Sequence, residues 1–354
     1  MADLIVAGAG MAGLAAAAHA RGRDADVLVL EKGDRAGGSM LLSSGVIWRY
    51  RDFERFRSEC PNGDAALQRL VFERLDGDLA WLESLGAQVI ERGTGNPLTT
   101  GMRFDTRGLV DALTSDLDVR LGEPLRELPD DGTPVVLATG GFQASRDLVR
   151  AHVTPEAESL VLRAAPWSTG DGLRVGLAAG GSTSAGLDEI YGRNMPAPPA
   201  RLGEADFVPL VQLYARHATI ANSRGEAYEP HTWSEVDVVQ WTARQPGARA
   251  WYRVEDDALE ERVRDRTVGE MIQAARLAGA PVERDGQATV VETVAGITTT
   301  LGGLRIDERA RVAPGVHACG ADAGGISTGG YSSGLAAALV LGRVAAESAL
   351  EEGG

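Results

Sequence analysis

Residues 4–31 constrain this chain more than any other stretch. Leu4-Ile5-Val6-Ala7 is a short apolar run of the kind that forms a buried parallel strand. It meets Gly8-Ala9-Gly10-Met11-Ala12-Gly13, followed by an alanine-rich helical segment from Leu14 to Ala20. Val27-Leu28-Val29-Leu30 then reads as a second buried strand ending at Glu31, which completes a β-α-β unit. In that setting the glycine spacing has a mechanism: Gly8 makes the turn, Gly10 lets a diphosphate reach the backbone, and Gly13 allows tight helix–strand packing. The helix N-terminus, at Met11 and Ala12, adds about half a positive charge facing the diphosphate. Glu31 lies where an adenosine ribose would offer its hydroxyls, and a carboxylate there disfavours a 2′-phosphate, so NADP is not expected.

Glycine is the compositional outlier, with 45 residues among 354. They gather in clusters at Gly37–Gly38, Gly140–Gly141, Gly170/Gly172, Gly302–Gly303, Gly324–Gly325 and Gly329–Gly330, most of them following short apolar runs. A backbone without Cβ can approach a ligand closely, so these clusters suggest a large ligand lying across several loops. Val135-Val136-Leu137-Ala138 is a further buried strand delivering Thr139-Gly140-Gly141, and residues 168–179 read as a loop entering a helix. Residues 65–85 have helical spacing, and Leu109–Leu117 continues the helical content. Val119–Leu121 and Leu125–Leu128 read as two short strands across a turn, while Leu304–Asp307 and Val316–Ala318 return to the strand-then-glycine style. Leu335 to Ala349 reads as an amphipathic helix.

Composition changes between Gly192 and Val290, where glycine clusters stop and Tyr214, Tyr228, Trp233, Trp241, Trp251 and Tyr252 appear. Met195–Pro199 is rich in proline and reads as a hinge or boundary. The simplest organisation is an α/β fold: a Rossmann-like domain at 1–191 plus 291–354, with a short α+β cap inserted at 192–290.

Charge and cysteine usage exclude several classes. Lys and Arg number 35 against 50 Asp and Glu, a net charge of −15, so nucleic acid and anionic membrane surfaces are not expected partners. Two cysteines, Cys60 and Cys319, exclude a disulfide framework and a four-thiolate metal or iron–sulfur site, and no metal is expected. Lys32 is the single lysine, which leaves almost no candidate for Schiff-base chemistry. The first strand begins at once, leaving no room for a signal peptide, and no apolar run reaches a membrane-spanning length; the expected location is the cytoplasm.

In order along nearly the whole chain, these motifs resemble the fumarate reductase/succinate dehydrogenase flavoprotein family, including its 3-ketosteroid dehydrogenase branch. The resembling segments are Gly8-Ala9-Gly10, Glu31-Lys32, Gly37-Gly38-Ser39 with Ser43-Ser44-Gly45, Ala138-Thr139-Gly140-Gly141 and Thr169-Gly170-Asp171-Gly172. They continue through Leu301–Asp307, Gly320–Gly325 and Gly330-Tyr331-Ser332-Ser333-Gly334-Leu335-Ala336. The resemblance implies FAD, held non-covalently because Ser39-Met40-Leu41 contains no histidine, beneath a cap domain. It implies that Gly37, Gly38, Ser39, Ser44 and Gly45 lie by the pyrophosphate and the flavin edge. Lys32, Ala138, Gly140, Gly141 and Asp171 would belong to the cofactor shell, with Asp322 near the ribityl chain. Ser333, Gly334, Leu335 and Ala336 would begin a helix pointing at the flavin N1/C2=O edge, where its dipole stabilises reduced flavin.

The chain departs from the dicarboxylate-binding members. Ile297-Thr298-Thr299-Thr300-Leu301-Gly302-Gly303 has no histidine before the glycine pair, and Tyr331 replaces the arginine of the last glycine loop. Bidentate arginines are the natural carboxylate binders, so a largely apolar substrate is expected instead. In the ketosteroid branch, a tyrosine in this last loop hydrogen-bonds the substrate carbonyl, and Tyr331 matches it, although the Pro-Gly-Pro-Gly loop of that branch is absent. Further proton-transfer candidates are Tyr191, His217, Tyr228 and His231, and the shortness of the cap suggests a bulky or carrier-bound small molecule. The implied reaction is dehydrogenation or reduction of a C–C bond beside a carbonyl. A flavin oxidase acting on C–N or C–O bonds and a non-catalytic FAD-fold binding protein stand as alternatives, and oligomeric state is not legible.

Overall fold

The structure is a computed structural model that describes residues 2–230 and 235–353. It divides into two compact units, the first formed by Met1–Ser145, Ala164–Glu189 and Thr299–Gly354, the second by Arg146–Arg163 and Ile190–Thr298.

The first unit is organised by a six-stranded sheet containing β1 (Leu4–Ala7), β2 (Val27–Glu31), β3 (Asp118–Leu121), β4 (Val135–Leu137), β5 (Arg311–Ala313) and β6 (Val316–Ala318). Its order is β5-β6-β4-β1-β2-β3, parallel throughout except for β5, which runs antiparallel to β6. The central strands are uninterrupted apolar runs because both faces are covered, as parallel sheets require. Helix α1 (Met11–Arg21) crosses between β1 and β2, as the β-α-β pattern anticipates. Helices α2 (Phe53–Glu59) and α3 (Ala65–Ser84) follow a three-stranded sheet's first strand, Val46–Tyr50, and each begins at a side-chain cap, Asp52 and Asp64. Helix α4 (Asp171–Ala178) starts in the Thr-Gly-Asp-Gly segment, and α5 (Gly334–Gly353) closes the chain.

Four expectations change here. Asp118–Leu121 does not form a hairpin with Leu125–Leu128. It pairs in parallel with β2, and the following turn hydrogen-bonds back to the end of β2 through Gly122 N to Gly33 O (3.0 Å) and Glu123 N to Glu31 O (2.9 Å). Leu304–Asp307 forms no strand, only isolated bridges at Leu304 to Thr183 and Ala323. The Met195–Pro199 segment opens inside a strand, Ile190–Pro196, because Met195 and Pro196 are buried, and proline is tolerated where a strand ends. Helix α5 is not amphipathic: Ala336 through Leu341 are buried consecutively, as are Val344, Ala345, Ala346 and Ala349. A helix buried on most of its sides is an interior helix, and α5, whose Arg343 and Glu347 are paired, packs against both α1 and α3. Small residues permit the approach; a Cβ at Gly342 would lie 2.3 Å from Ala12 O.

Where α1, α3 and α5 meet, burial is accompanied by charge. Arg74 donates to both carboxylate oxygens of Glu347 at 2.8 Å, and His19 Nε2 approaches the same group at 3.2 Å. Arg343 pairs with Asp78 and stacks 4.5 Å from the Trp81 ring. The Arg74 hydrogen bonds hold the Glu347 carboxyl well below the ordinary carboxylate value, against the opposing effect of burial. A depressed folded-state pKa contributes stability that is present above about pH 4.5 and lost as pH falls further. Burial pushes Asp78 the other way, so the contribution of Glu347 is isolated by substitution. Melting temperatures from pH 7 to pH 3 are expected to fall more steeply in the native protein than in Glu347→Gln, with about 1.5–3 kcal/mol separating them at pH 7. Parallel curves would remove Glu347 as the acid-sensitive group.

The second unit has a four-stranded antiparallel path through Thr219–Ala221, Arg249–Glu255, Ala288–Thr300 and Val282–Asp285, with Val161–Leu162 and Ile190–Pro196 also pairing to the long Ala288–Thr300 strand. Helices Val236–Ala243 and Val268–Leu277 accompany it. Its core contains Tyr214, Tyr252, Met271, Ile272 and Val294, with Tyr228 and Trp241 packed against them.

Candidate functional site

The site in the first unit grows from the turn after β1. Gly8 takes φ 110°, and a Cβ there would sit 2.2 Å from Ala138 O at the end of β4. At Gly13 a Cβ would sit 1.9 Å from Gly8 O, so the start of α1 rests directly on the turn. Gly10, the N-cap of α1, makes no side-chain cap, and nothing lies within 4 Å of the place a Cβ would occupy. Helix α1 therefore presents its positive end, with no acidic residue in its first turn, to open space. Met11 and Ala12 are buried behind it.

Glu31 is buried at the end of β2, and both carboxylate oxygens already accept backbone donors: Ala9 N at 2.7 Å and Gly33 N at 2.6 Å. The carboxylate thus ties the glycine turn to β2, and each oxygen keeps a further lone pair. Beside it, a crevice is walled by Ala7, Gly8, Leu30, Leu125, Thr139 and Trp167. Lys32 spans its edge, donating to Thr169 Oγ1 (2.6 Å) and Asp171 Oδ2 (2.7 Å), which fastens the start of α4 to the end of β2. The Trp167 ring lies over Gly33, where a Cβ would come within 2.2 Å of it. Trp167 escaped the sequence reading because a lone tryptophan in a loop carries no spacing signal.

The neighbouring loops divide into those that face open space and those that face protein. Gly37 N donates to Ala9 O (2.7 Å), and a Cβ on Gly38 would come within 3.3 Å of Gly10 Cα, so these two line the first turn. Ser39 Oγ accepts from Ala165 N (3.0 Å), Ser44 is exposed, and Gly45 is pressed against Phe104 O. Glycines at 302, 303 and 324 likewise make room for protein backbone: their Cβ positions fall 2.4, 2.5 and 2.2 Å from Leu187 N, Asp322 O and Gly303 N. The glycine clusters are thus only partly explained by a ligand.

Asp322 is buried, and its carboxylate accepts from Thr139 N, Thr139 Oγ1 (3.1 Å) and Gly141 N (3.0 Å). Burial pushes its carboxyl above the ordinary range, opposed by those backbone donors. It acts as a latch on Thr139 and Gly141. A Cβ on Gly172 would strike the same carboxylate at 2.2 Å. The sequence expected Asp322 near the ribityl chain; in the folded chain its carboxylate is bonded to Thr139 and Gly141.

The last glycine loop carries Tyr331, half-buried, with its ring 5.7 Å from Trp48 at 64°. Tyr50 OH donates to Tyr331 O at 2.7 Å. Ser333 Oγ accepts from Ala336 N (3.3 Å) and Trp48 N (3.4 Å), capping α5. Gly334 is exposed with nothing within 4 Å of its Cβ position; Leu335 is half-buried and Ala336 buried. Two helix N-termini, those of α1 and α5, therefore open onto space with no acid in their first turns.

Of the residues expected to move protons, Tyr331 lies in the first unit. Tyr191 lies in the second, on the Ile190–Pro196 strand, with the Arg193 guanidinium 5.3 Å from its ring centre. His231 and Trp233 lie outside the described residues. Tyr228 donates to Asp237 at 2.5 Å and packs on Trp241, and His217 Nε2 accepts from Arg216 (3.1 Å). Glu235, missed in the sequence, has φ 57° and a carboxyl raised by burial despite the charge of Arg193. Among the described residues no helix is long and apolar enough to cross a membrane, and no cluster of His, Cys, Asp and Glu is arranged to hold a metal.

A parallel sheet with a glycine turn, an acid closing that turn, and two open helix ends defines a dinucleotide-binding protein whose ligand exceeds one mononucleotide half. The chain belongs to the FAD binding domain family, whose model matches residues 3–109 and 131–335. It is 22% identical to "Fumarate reductase (cytochrome)" of Shewanella frigidimarina over 98% of this chain and 76% of that protein. It is 24% identical to vinyl phenol reductase of Lactiplantibacillus plantarum over 55% of this chain and 49% of that protein. Among solved structures, 3-ketosteroid-delta4-(5alpha)-dehydrogenase from Rhodococcus jostii in complex with 4-androstene-3,17-dione superposes with a TM-score of 0.75 at 20% identity, covering 99% of this chain and 96% of that one. The cofactor is FAD, and the protein is an FAD-dependent oxidoreductase.

Proposed function

We propose that the protein dehydrogenates or reduces a C–C bond beside a carbonyl on a largely apolar small molecule. The carrying observation is the Tyr331 loop, which delivers a phenol immediately before the open, serine-capped N-terminus of α5. The three relatives support the carbon–carbon bond class, because fumarate, a vinyl phenol and 4-androstene-3,17-dione each contain a carbon–carbon double bond, beside a carbonyl in the first and the last.

FAD fits the residues present: Gly10 and Gly334 leave the two places where a Cβ would intrude empty, each at a helix end that favours anionic groups. The first turn of α1 would hold the pyrophosphate, Glu31 the ribose, and the amides of Gly334, Leu335 and Ala336 the flavin edge. No histidine lies in 39–45, so attachment is non-covalent. When bound, FAD supplies or accepts the hydride. Tyr331 donates a hydrogen bond from its phenol to the substrate carbonyl oxygen, polarising it so that the proton on the adjacent carbon is mobile. Its position ahead of the α5 N-terminus favours the negative charge that develops there. The second unit carries the substrate-binding residues, with Tyr191 or His231 moving the single proton that accompanies the hydride. A short cap suits a bulky or carrier-bound substrate.

The test is anaerobic bleaching of the bound flavin by a panel of saturated cyclic ketones, and reoxidation of photoreduced enzyme by cyclic enones. Spectral change with ketones or enones but not dicarboxylates is expected. Bleaching by amines or alcohols alone would replace this reading with a C–N or C–O oxidase, and a protein that binds FAD yet responds to none would be a binding module.

A further inference from the structure

The last glycine loop is held by the turn between α2 and α3, a segment outside the glycine clusters. Asp64 N donates to Gly325 O (2.7 Å), and Asn62 N to Thr328 O (3.2 Å). Gln68, on the first turns of α3, is fully buried. Its Nε2 uses both hydrogens, one to Cys60 O (2.9 Å) within the turn and one to Ile326 O (2.8 Å) within the loop. Its Oε1 accepts from Arg57, which also donates to Gly63 O (2.7 Å). One amide side chain therefore joins turn, loop and helix, with its donors and acceptor satisfied at a site closed to water.

Two glycines exist to let this happen. A Cβ on Gly63 would sit 2.2 Å from Gln68 Nε2 and 2.4 Å from Ile326 O, and a Cβ on Gly330 would sit 1.6 Å from Glu59 O. On the loop's other flank Gly329 N donates to Glu189 Oε2 at 2.7 Å. The backbone immediately before Tyr331 is thus gripped on two sides, and Tyr50 OH holds the Tyr331 carbonyl itself.

We infer that Gln68 is a positioning residue for turnover, setting the place of Tyr331 through the Ile326 carbonyl while touching neither cofactor nor substrate. The coupling to turnover rests on the carbonyl-polarising role proposed for Tyr331; the grip on the loop does not. Methionine matches glutamine in length and lacks the amide, so Gln68→Met removes the Gln68 donor from the Ile326 carbonyl, while Cys60 O keeps Gly63 N (3.2 Å), and frees the loop to shift. Displacement of a reacting group by about 1 Å costs on the order of a hundredfold in rate, and a partial displacement about tenfold.

Hydrogen exchange of peptides covering 324–333 and 4–31, FAD affinity by fluorescence, and kcat are measured in native protein, Gln68→Met, Tyr331→Phe and the double variant. The expected result is faster exchange in 324–333 only, FAD affinity within about twofold, and a kcat loss of about tenfold that shrinks to less than twofold in the Tyr331→Phe background. Unchanged exchange in 324–333, an unchanged kcat, or an equal loss in both backgrounds overturns the inference. Should Tyr331→Phe itself turn over at the native rate, the proposed role of Tyr331 falls, and the grip is then decided by exchange alone. If Gln68→Met does not fold, Gln68→Glu keeps an acceptor for Arg57 while removing both donors, and is read by the same criteria.

Discussion

Gly13→Val is expected to emerge from purification colourless, with FAD affinity reduced at least about a hundredfold, near 2.7 kcal/mol. Its Cβ would fall 1.9 Å from Gly8 O and its methyls would meet the Val6 side chain, whose Cγ1 already stands 3.2 Å from that Cβ position. Overpacking of this kind is relieved only by moving α1 off the turn. The positive end of the helix is then no longer aimed where it was. Gly10→Ala supplies the contrast. No atom lies within 4 Å of its Cβ position, so the apoprotein should melt within a degree or two of native, while FAD affinity falls because the methyl occupies space the ligand needs. Fluorescence titration with FAD and calorimetry of the apoproteins separate the two. A yellow Gly13→Val protein, or a Gly10→Ala protein of native affinity, would contradict the assignment of this turn.

Tyr331→Phe is expected to lower kcat at least about tenfold, equal to roughly 1.4 kcal/mol of barrier, with FAD affinity unchanged. The substitution removes the phenolic hydroxyl alone. The ring still meets Trp48, and the Tyr50 hydrogen bond to the backbone carbonyl is untouched, so the loop keeps its place. Loss confined to kcat therefore reports the hydroxyl group. Equal kcat in the two proteins would leave polarisation of the carbonyl to another group, and Tyr191 and His231 would be examined next by the same substitution logic.

Local signals carried the first β-α-β unit well. Strands of three to five apolar residues, a glycine turn and an alanine-rich helix are short-range patterns, and β1, α1, β2, β4, α3 and β6 stand where periodicity placed them. Elements whose state depends on distant neighbours were not legible. Leu125–Leu128 has the composition of a strand, but the turn before it is bonded to the end of β2, leaving no partner strand beside it. Helix α5 reads as amphipathic until α1 and α3 are known to cover its other faces.

The candidate site divides along the same line. Residue type and order in one dimension were sufficient for the FAD family and for where the turn Gly8–Gly13, Glu31 and the tyrosine ahead of the final helix stand in the fold, because each rests on backbone requirements spanning a few residues. What each side chain does there was settled by contacts between segments remote in the chain. Asp322 reaches Thr139, Lys32 reaches Asp171, and Gln68 reaches Ile326, each across more than 130 residues. Such pairs leave no periodicity or spacing to read, since a buried carboxylate or amide needs only some donor or acceptor within 3 Å, and which one arrives is decided when the chain closes on itself.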